Sequence, residues 1–308
     1  MIPEILPEPA SSSSTPQSLG RLVERGSEPH TDLPRAAAYM VLAALLFAAM
    51  SVMVKLLSSS LPNAMVVFLR SGLSLLVLLP AMLRRGRAAL RTTHLREHIV
   101  RGAMGMAAMY CFFFVISKLG LAEALLLNYS LPLFIPLVER AWLGEPTPRG
   151  AWKPLAIGLG GLLLILKPGL ALFQPAALIG ALGAVLAATA QVGVRRLTRS
   201  ESVTKIVFYF SITSTTIACL PALLAWRTPD LSSAPSLLVL VACGTVAQLL
   251  MTRAYQLAPA AQVGPFIYSS VAFAALLDWV VFSRHPDGLS ALGALLLVAA
   301  GILALRRP

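Results

Sequence analysis

The segment His94-Leu95-Arg96-Glu97-His98 fits H-x-x-E-H, a pattern in which two histidines one helical turn apart bind zinc beside a glutamate base. It lies in a short arginine-rich stretch with no soluble catalytic domain after it, and no third zinc ligand is apparent. The other histidines, His30 and His285, pair with no nucleophile. We therefore expect no enzyme, no catalytic residue, no metal and no cofactor, with a zinc-dependent intramembrane enzyme as a remote alternative.

A charged side chain inside a long apolar run is the second feature with chemical potential. Arg70 lies about six residues into the run 64–83, roughly 9 Å along a helix. An ionisable residue inside a membrane span costs a few kcal/mol, so it is a functional candidate by default. Arg70 could face a cavity and hold an anionic substrate group, or its long side chain could reach the membrane surface. Other charged residues lie nearer the ends of apolar runs, where anchoring is expected: Lys55, Glu139, Arg253 and Asp278.

Prolines interrupt two of the apolar runs, and polar side chains gather around them. Pro132 leaves the carbonyl of Asn128 without its helical donor, and Pro265 does the same for Ala261. In hydrocarbon, irregular helix is stable only where it faces protein or a water-filled cavity. The polar residues nearby are therefore candidates for substrate binding, although they could also simply bond helices together. They are Asn128, Tyr129, Ser130, Gln262, Tyr268 and Ser269.

One face of the run 99–117 carries small, soft and aromatic residues at three- and four-residue spacing. They are Gly102, Gly105, Met106, Met109, Tyr110 and Phe113. Methionine and aromatic side chains suit an adaptable ligand surface, and ordinary helix packing explains the same stripe. We add Tyr110 to the candidate substrate-binding residues, together with Gln248, which occupies the corresponding position later in the chain.

The composition is that of an integral membrane protein. Of 308 residues 57% are hydrophobic and 12% are charged, and the mean hydropathy is +0.78, values that a soluble protein of this length would not show. The net charge of +12 would suggest a nucleic-acid partner in a soluble protein, but membrane proteins need lysine and arginine between their spans to set orientation. We therefore expect a lipid bilayer, and no nucleic acid, around the chain.

Ten segments meet or approach the roughly 20 apolar residues that a helix needs to cross a bilayer. We number them as spans one to ten, at residues 36–57, 64–83, 99–117, 121–143, 152–166, 177–194, 206–226, 234–256, 260–283 and 289–305. Before them, residues 1–34 are rich in serine and proline and cannot bury enough apolar surface to fold alone. We expect this stretch to form a disordered cytoplasmic tail.

The second half of the chain repeats the first. Gly161 and the following Lys167-Pro168 match Gly301 and the following Arg307-Pro308, and Tyr129 matches Tyr268. Each copy holds five spans, and an odd number forces the copies into opposite orientations. We predict an all-α integral membrane protein with ten transmembrane helices as two inverted five-helix repeats, residues 35–168 and 169–308. This plan is typical of secondary transporters.

Basic residues concentrate in alternate connections, which indicates the cytoplasmic side. The connection after span two is the richest, whereas the connections on the opposite side hold one basic residue each. These single residues are Lys55, Lys118, Lys167, Arg227 and Arg284. We therefore expect both termini in the cytoplasm and the protein in the cell inner membrane.

Several short motifs, in their order, resemble the drug/metabolite transporter superfamily, specifically the ten-span transporters built from two EamA domains. They are Phe68-Leu69-Arg70, Leu119 to Ala124, Asn128 to Phe134, Trp142 to Glu145, Gly161 to Pro168 and Leu257 to Ala260. Two positions depart from that family pattern. The chain has Val271 where the second copy usually has proline, and Ser283-Arg284 where it usually has Gly-Glu.

The resemblance implies a secondary transporter that exports a small polar or amphipathic metabolite, of the amino-acid or amino-acid-derivative class, by alternating access. The direction of transport comes from the resemblance alone. The alternative is an importer of a vitamin or nucleoside-like metabolite with the same fold. The partners expected are the small-molecule substrate and a coupling proton or ion, and the oligomeric state is left open.

Overall fold

A computed structural model describes residues 31–86, 90–147, 149–283 and 285–306. Ten helical spans, numbered as above, follow one another in these ranges. Spans one to five are Leu33–Leu57, Asn63–Arg84, Leu95–Leu119, Leu121–Leu143 and Trp152–Leu166; spans six to ten are Ala176–Leu197, Val203–Leu224, Ala234–Leu257, Ala260–Phe282 and Gly288–Leu305. The predicted tail, up to residue 30, lies outside the described residues, as do Arg284 and the ending Arg307-Pro308.

The predicted spans are confirmed, with ends that differ by a few residues. Within the described ranges, nine helices are long and apolar enough to cross a membrane, and span five is a shorter apolar helix. Span three begins at Leu95, four residues before its predicted start, and span six continues to Leu197. Arg101, near the predicted start of span three, and Arg195, one residue beyond the predicted end of span six, both lie on helices and are buried, at 4% and 9% exposure.

Spans four and nine are interrupted at matching positions. Span four consists of two helices, Leu121–Tyr129 and Leu131–Leu143, which meet at Ser130. Span nine begins as a short α-helix at Ala260–Val263, tightens to a 3₁₀-helix over Gly264–Tyr268, and returns to α-helix at Ser269–Phe282. The prolines account for this irregularity because each removes a backbone donor from its helix.

Helix pairs across the two halves follow the symmetry of an inverted repeat. Span one packs on span eight, and span six, its counterpart, packs on span three. Span one also contacts span nine, and its counterpart, span six, contacts span four. In the same way, span two contacts span eight, and its counterpart, span seven, contacts span three. Spans two and seven form a pair, as do spans five and ten. Exchanging each span for its counterpart therefore reproduces the packing.

Polar contacts tie the connections together on each side of the helix bundle. We call the side that holds the connections two–three, four–five, six–seven and eight–nine the basic face. There Arg199 bonds to Glu145, and Lys205 donates to the carbonyl oxygen of Arg91 at 3.0 Å. On the opposite face Lys167 bonds to Asp287. That hydrogen bond, with those from Ser290, holds the pKa of the Asp287 carboxyl below its usual range.

Glycines allow spans five and ten to approach very closely. A Cβ atom on Gly161 would lie 2.6 Å from the backbone oxygen of Gly293, and a Cβ on Gly293 would lie 2.6 Å from that of Gly161. Close approach of this kind is a common way to associate helices in lipid, where no hydrophobic force drives them together. The two glycines therefore allow span five to pack directly against span ten, and this contact joins the repeats.

We expect Gly161→Ala to lower the free energy of unfolding by about 1–3 kcal/mol, because the added methyl group must push two backbones apart. The neighbouring Gly160→Ala is the matched control, since no described atom lies within 4 Å of its added Cβ. Thermal unfolding of the purified protein in detergent measures both. Equal stability of the two variants would contradict the close contact.

Candidate functional site

Arg70 reaches the middle of the membrane rather than its surface. A Cβ atom added to Gly244 of span eight would lie 2.9 Å from Arg70 Nε and 3.0 Å from Met50 Sδ. Gly244 is ten residues into span eight, about 15 Å along a helix of about 36 Å. Nε of Arg70 is buried and has no hydrogen-bond partner. Of the two alternatives that the sequence left open, the structure favours a side chain that faces the interior.

Arg101 of span three is a second buried arginine in the same region, which was not predicted from the sequence. Its Nη2 donates to Gln248 Oε1 at 3.2 Å, and its guanidinium lies 3.5 Å from the centre of the Phe210 ring. Nε and Nη1 of Arg101 are buried without partners, and the positive charge of Arg70 lies close enough to act on it. One signal was present. Arg101 lies four residues before Gly105, and therefore on the same helical face.

Hydroxyl groups complete the surroundings of Arg70. Ser74 Oγ and Thr245 Oγ1 are 2.7 Å apart and join span two to span eight. A small cavity, of about 10 Å³, lies between spans two, seven and eight, with room for about one water molecule. Its lining includes Arg70, Ser71, Ser74, Phe210, Thr245 and Gln248. Two of the predicted residues, Arg70 and Gln248, are therefore brought together here.

The predicted residues of spans four and nine meet at the point where these spans cross. The Tyr129 hydroxyl lies close to the side chain of Ser270, and a Cβ on Gly264 would lie 3.7 Å from Pro132. Ser130 and Ser269 instead bond within their own helices, to the carbonyl oxygens of Leu127 and Phe266 respectively. The crossing therefore joins the two interrupted helices directly.

Tyr268 is fully buried, and its ring packs on span five. A Cβ on Gly158 would lie 2.4 Å from the Tyr268 ring, and the ring belongs to an apolar cluster with Leu155, Leu162 and Leu297. Its hydroxyl has no hydrogen-bond partner. In this conformation Tyr268 therefore fills the space between spans five, nine and ten.

The remaining predicted residues lie apart from one another. Asn128 lines a second small cavity with residues of spans three and six, such as Phe112 and Gly183. Tyr110 has 40% of its surface exposed at the side of span three, and Gln262 is partly buried near the start of span nine. The structure thus divides most of the predicted residues among an arginine cluster, the crossing of spans four and nine, and the cavity at Asn128, and it leaves Tyr110 outside all three.

Glu139 makes a contact between the repeats that the sequence did not predict. The backbone N–H groups of Ala260 and Ala261 donate to its Oε1 and Oε2 at 2.7 and 2.8 Å, and the residue is 2% exposed. These N–H groups begin span nine, where the preceding Pro259 supplies no side-chain cap. A carboxylate from span four therefore satisfies donors that would otherwise be unpaired in the membrane.

The two histidines of the H-x-x-E-H segment are held by separate contacts. The His98 ring stacks on Tyr209 with centres 4.5 Å apart, whereas His94 Nδ1 lies 3.7 Å from Glu201 Oε1. Burial would raise the pKa of the Glu201 carboxyl, but hydrogen bonds from Lys205 and Thr92 outweigh it and lower that pKa. Among the described residues, no cluster of histidine, cysteine or carboxylate side chains fits a metal ion.

Three similar proteins are named as transporters. The pseudopaline exporter CntI of Pseudomonas aeruginosa is 33% identical over 267 residues, which cover 85% of this chain and 93% of that protein. A riboflavin transporter of Rhizobium johnstonii is 30% identical over 88% of this chain and 90% of its own. An S-adenosylmethionine uptake transporter of Rickettsia bellii is 27% identical over 81% of this chain and 86% of its own.

The fold itself is also found among solved structures. One crystal structure of a protein aligns with this chain with a TM-score of 0.75 and 21% sequence identity. The alignment covers 87% of this chain and 96% of the chain in that structure. The family model described as the EamA-like transporter family matches twice, at residues 34–167 and 174–306. The chain therefore belongs to the EamA-like transporter family, and it is a multi-pass membrane transporter rather than an enzyme.

Proposed function

We propose that this protein exports a small polar or amphipathic metabolite, of the amino-acid or amino-acid-derivative class, across the cell inner membrane. The observation that carries the proposal is the crossing of spans four and nine. Both helices are interrupted at matching positions, and the side chains of Tyr129 and Ser270 lie close together at the crossing. Repeat-built transporters bind their substrates near the midplane beside such discontinuous helices.

In this proposal the substrate contacts residues from both repeats, and the repeats are residues 35–168 and 169–308. The crossing and its surroundings contribute Asn128, Tyr129, Ser130, Gln262, Tyr268 and Ser269, and the neighbouring helices contribute Arg70, Tyr110 and Gln248. Tyr268 takes part when span nine moves away from Gly158, on which its ring packs in the present conformation. The repeats would rock against each other around this region and expose it to the two sides in turn.

The direction of transport is inferred from the relatives. The exporter of Pseudomonas aeruginosa is 33% identical to this chain, compared with 27% for the uptake transporter of Rickettsia bellii. Import of a vitamin or nucleoside-like metabolite is the second candidate. The uptake transporter of Rickettsia bellii supports its direction, and the riboflavin transporter of Rhizobium johnstonii, at 30% identity, supports its substrate class. We assign the basic face and both termini to the cytoplasm because cytoplasmic connections carry the excess of lysine and arginine.

Opening of the basic face requires the contact of Glu139 with span nine to break. Both carboxylate oxygens accept a backbone N–H from the other repeat, and these hydrogen bonds are strongest when the carboxylate is ionised. Glu145, which is itself bonded to Arg199, places a second negative charge nearby, and the hydroxyl of Tyr255 is buried close to Glu139 without a partner. The contact is thus one of several polar links between the repeats at their cytoplasmic ends.

Export predicts that metabolites of the amino-acid class accumulate in everted membrane vesicles, whose cytoplasmic face is outside, when the protein is present. Labelled amino acids and their derivatives should enter everted vesicles faster than right-side-out vesicles that carry the same amount of protein. Vesicles without the protein provide the control. Faster uptake into right-side-out vesicles would instead support the importer.

The variant Tyr129→Phe should reduce transport severalfold without lowering the amount of protein in the membrane. The hydroxyl that lies beside Ser270 and would bind the substrate is lost, while the ring keeps its size and packing. Tyr209→Phe is the matched control, because its hydroxyl donates to the Leu90 carbonyl oxygen at the basic face, away from the crossing. Equal transport by the two variants would argue against a substrate site at the crossing.

The variant Glu139→Gln should open the basic face more often, since the amide keeps one acceptor and turns an N–H donor toward the second N–H. The measurement is labelling by a water-soluble maleimide of Ala258→Cys, which is fully buried in the structure, after replacement of Cys111, Cys219 and Cys243 by alanine. We expect labelling to become severalfold faster. The control is Glu97→Gln, which removes a carboxylate paired to Arg196 at 3.6 Å and should leave the labelling rate unchanged. Equal labelling rates in the two variants would exclude Glu139 as a contact that keeps the basic face closed.

A further inference from the structure

We propose that Arg70 and Arg101 together bind an oxyanion of the transported metabolite, and that this group is a carboxylate. This assignment rests on the proposed transport function and adds the charge that the substrate must carry. Arg70 alone was a candidate from the sequence, with its depth in the membrane left open. The structure adds Arg101, the place of both guanidinium groups and their lack of counter-charge.

The two arginines are not neutralised by the protein. Neither forms an ion pair with any described carboxylate. Three of their buried nitrogens have no hydrogen-bond partner, namely Nε of Arg70 and both Nε and Nη1 of Arg101. Their positive charges also repel each other. A buried pair of this kind destabilises the empty protein, so its presence indicates a ligand that compensates the charge.

A third buried arginine shows how a structural role differs. Arg195 of span six donates to the carbonyl oxygen of Tyr255 at 2.9 Å and lies 3.6 Å from a carboxylate oxygen of Glu145. It also lies near the end of span eight, where the helix dipole favours a positive charge. Nε of Arg195 is also without a partner. Arg195 nevertheless has a carboxylate beside it, whereas neither Arg70 nor Arg101 is paired with a described carboxylate.

The surroundings position the two guanidinium groups without satisfying them. Phe210 stacks against one face of the Arg101 guanidinium, and Gln248 accepts from one of its amino groups. Arg70 is confined beside Gly244, where any larger residue would collide with its Nε. The planar fork of guanidinium donors is therefore fixed in place and remains free to bind a carboxylate or phosphate through paired hydrogen bonds.

The site is divided between the repeats. Both arginines belong to the first repeat, on spans two and three, whereas Phe210, Gly244 and Gln248 belong to the second. The cavity beside them has room for only about one water molecule in this conformation. A metabolite must therefore enter when spans two and three move away from spans seven and eight. Binding at this place couples substrate charge to the relative movement of the repeats.

Thermal unfolding of the purified protein with small anions tests the site directly. The probes are glutarate, its neutral diamide and inorganic phosphate, each at the same ionic strength set with chloride. Because a ligand that binds only the folded state raises its stability, glutarate should raise the unfolding midpoint and the diamide should not. A shift with phosphate and none with glutarate would refute the carboxylate and leave phosphorylated metabolites as the class bound.

Substitution of each arginine separates ligand binding from structure. We expect Arg70→Met and Arg101→Met to weaken glutarate binding roughly 10- to 100-fold, since each removes a charge-assisted hydrogen-bonding group. Both variants should also raise the unfolding midpoint of the ligand-free protein, because an uncompensated buried charge is removed. Arg196→Met is the control. Its side chain is 41% exposed beside Glu97, and the glutarate shift should persist.

A lowered midpoint without ligand, together with an unchanged glutarate shift, would mean that the arginines are structural and would overturn the proposal. Transport then distinguishes this site from the function on which it rests. If the protein exports only neutral or cationic metabolites, the function stands and the anion site is wrong. If glutarate binds through both arginines and vesicles show uptake instead of export, the site stands and the direction is wrong.

Discussion

The lack of water in the hydrocarbon region is the constraint on which the rest of this structure depends. Every backbone donor and acceptor there must find a partner within the protein, which is why the described chain is a set of helices joined at two faces. The same constraint explains why irregular helix and unpaired polar groups inside the bundle need a partner. At the start of span nine the other repeat compensates, because Glu139 supplies the cap that this helix lacks. Where Arg70 and Arg101 lack a counter-charge, no described residue compensates.

Two kinds of contact, apolar packing and polar links, hold the repeats together. Spans five and ten meet backbone to backbone through Gly161 and Gly293, and such a contact permits little sliding because interiors are close-packed. Elsewhere the repeats are joined by a few polar links, among them Glu139 with span nine, Arg101 with Gln248 and Ser74 with Thr245. Polar links can exchange partners with substrate or water, whereas a glycine contact cannot. We infer that the repeats separate at the polar links and stay in contact at Gly161 and Gly293.

Symmetry explains the architecture, and departures from symmetry explain why one side differs from the other. Position 139 in the first repeat corresponds to position 278 in the second, by the same offset that relates Tyr129 to Tyr268. Glu139 is buried and bonds to backbone N–H groups, whereas Asp278 bonds to Lys55 at 2.8 Å with 35% of its side chain exposed. Equivalent carboxylates therefore have different surroundings at the two faces, as expected of a transporter held in one of its two orientations.

The sequence by itself determined the spans, their number and the inverted repeat, because the length of apolar runs and the odd span count follow from the thickness of a bilayer. It also located the interruptions of spans four and nine, since proline removes a donor wherever it lies. Only the tertiary structure decided which charged residues are deep. Arg101 and Glu139 lie near span ends, where anchoring is expected, yet the close packing of other spans buries both. Burial depends on which helices surround a residue, and periodicity along one helix does not carry that information.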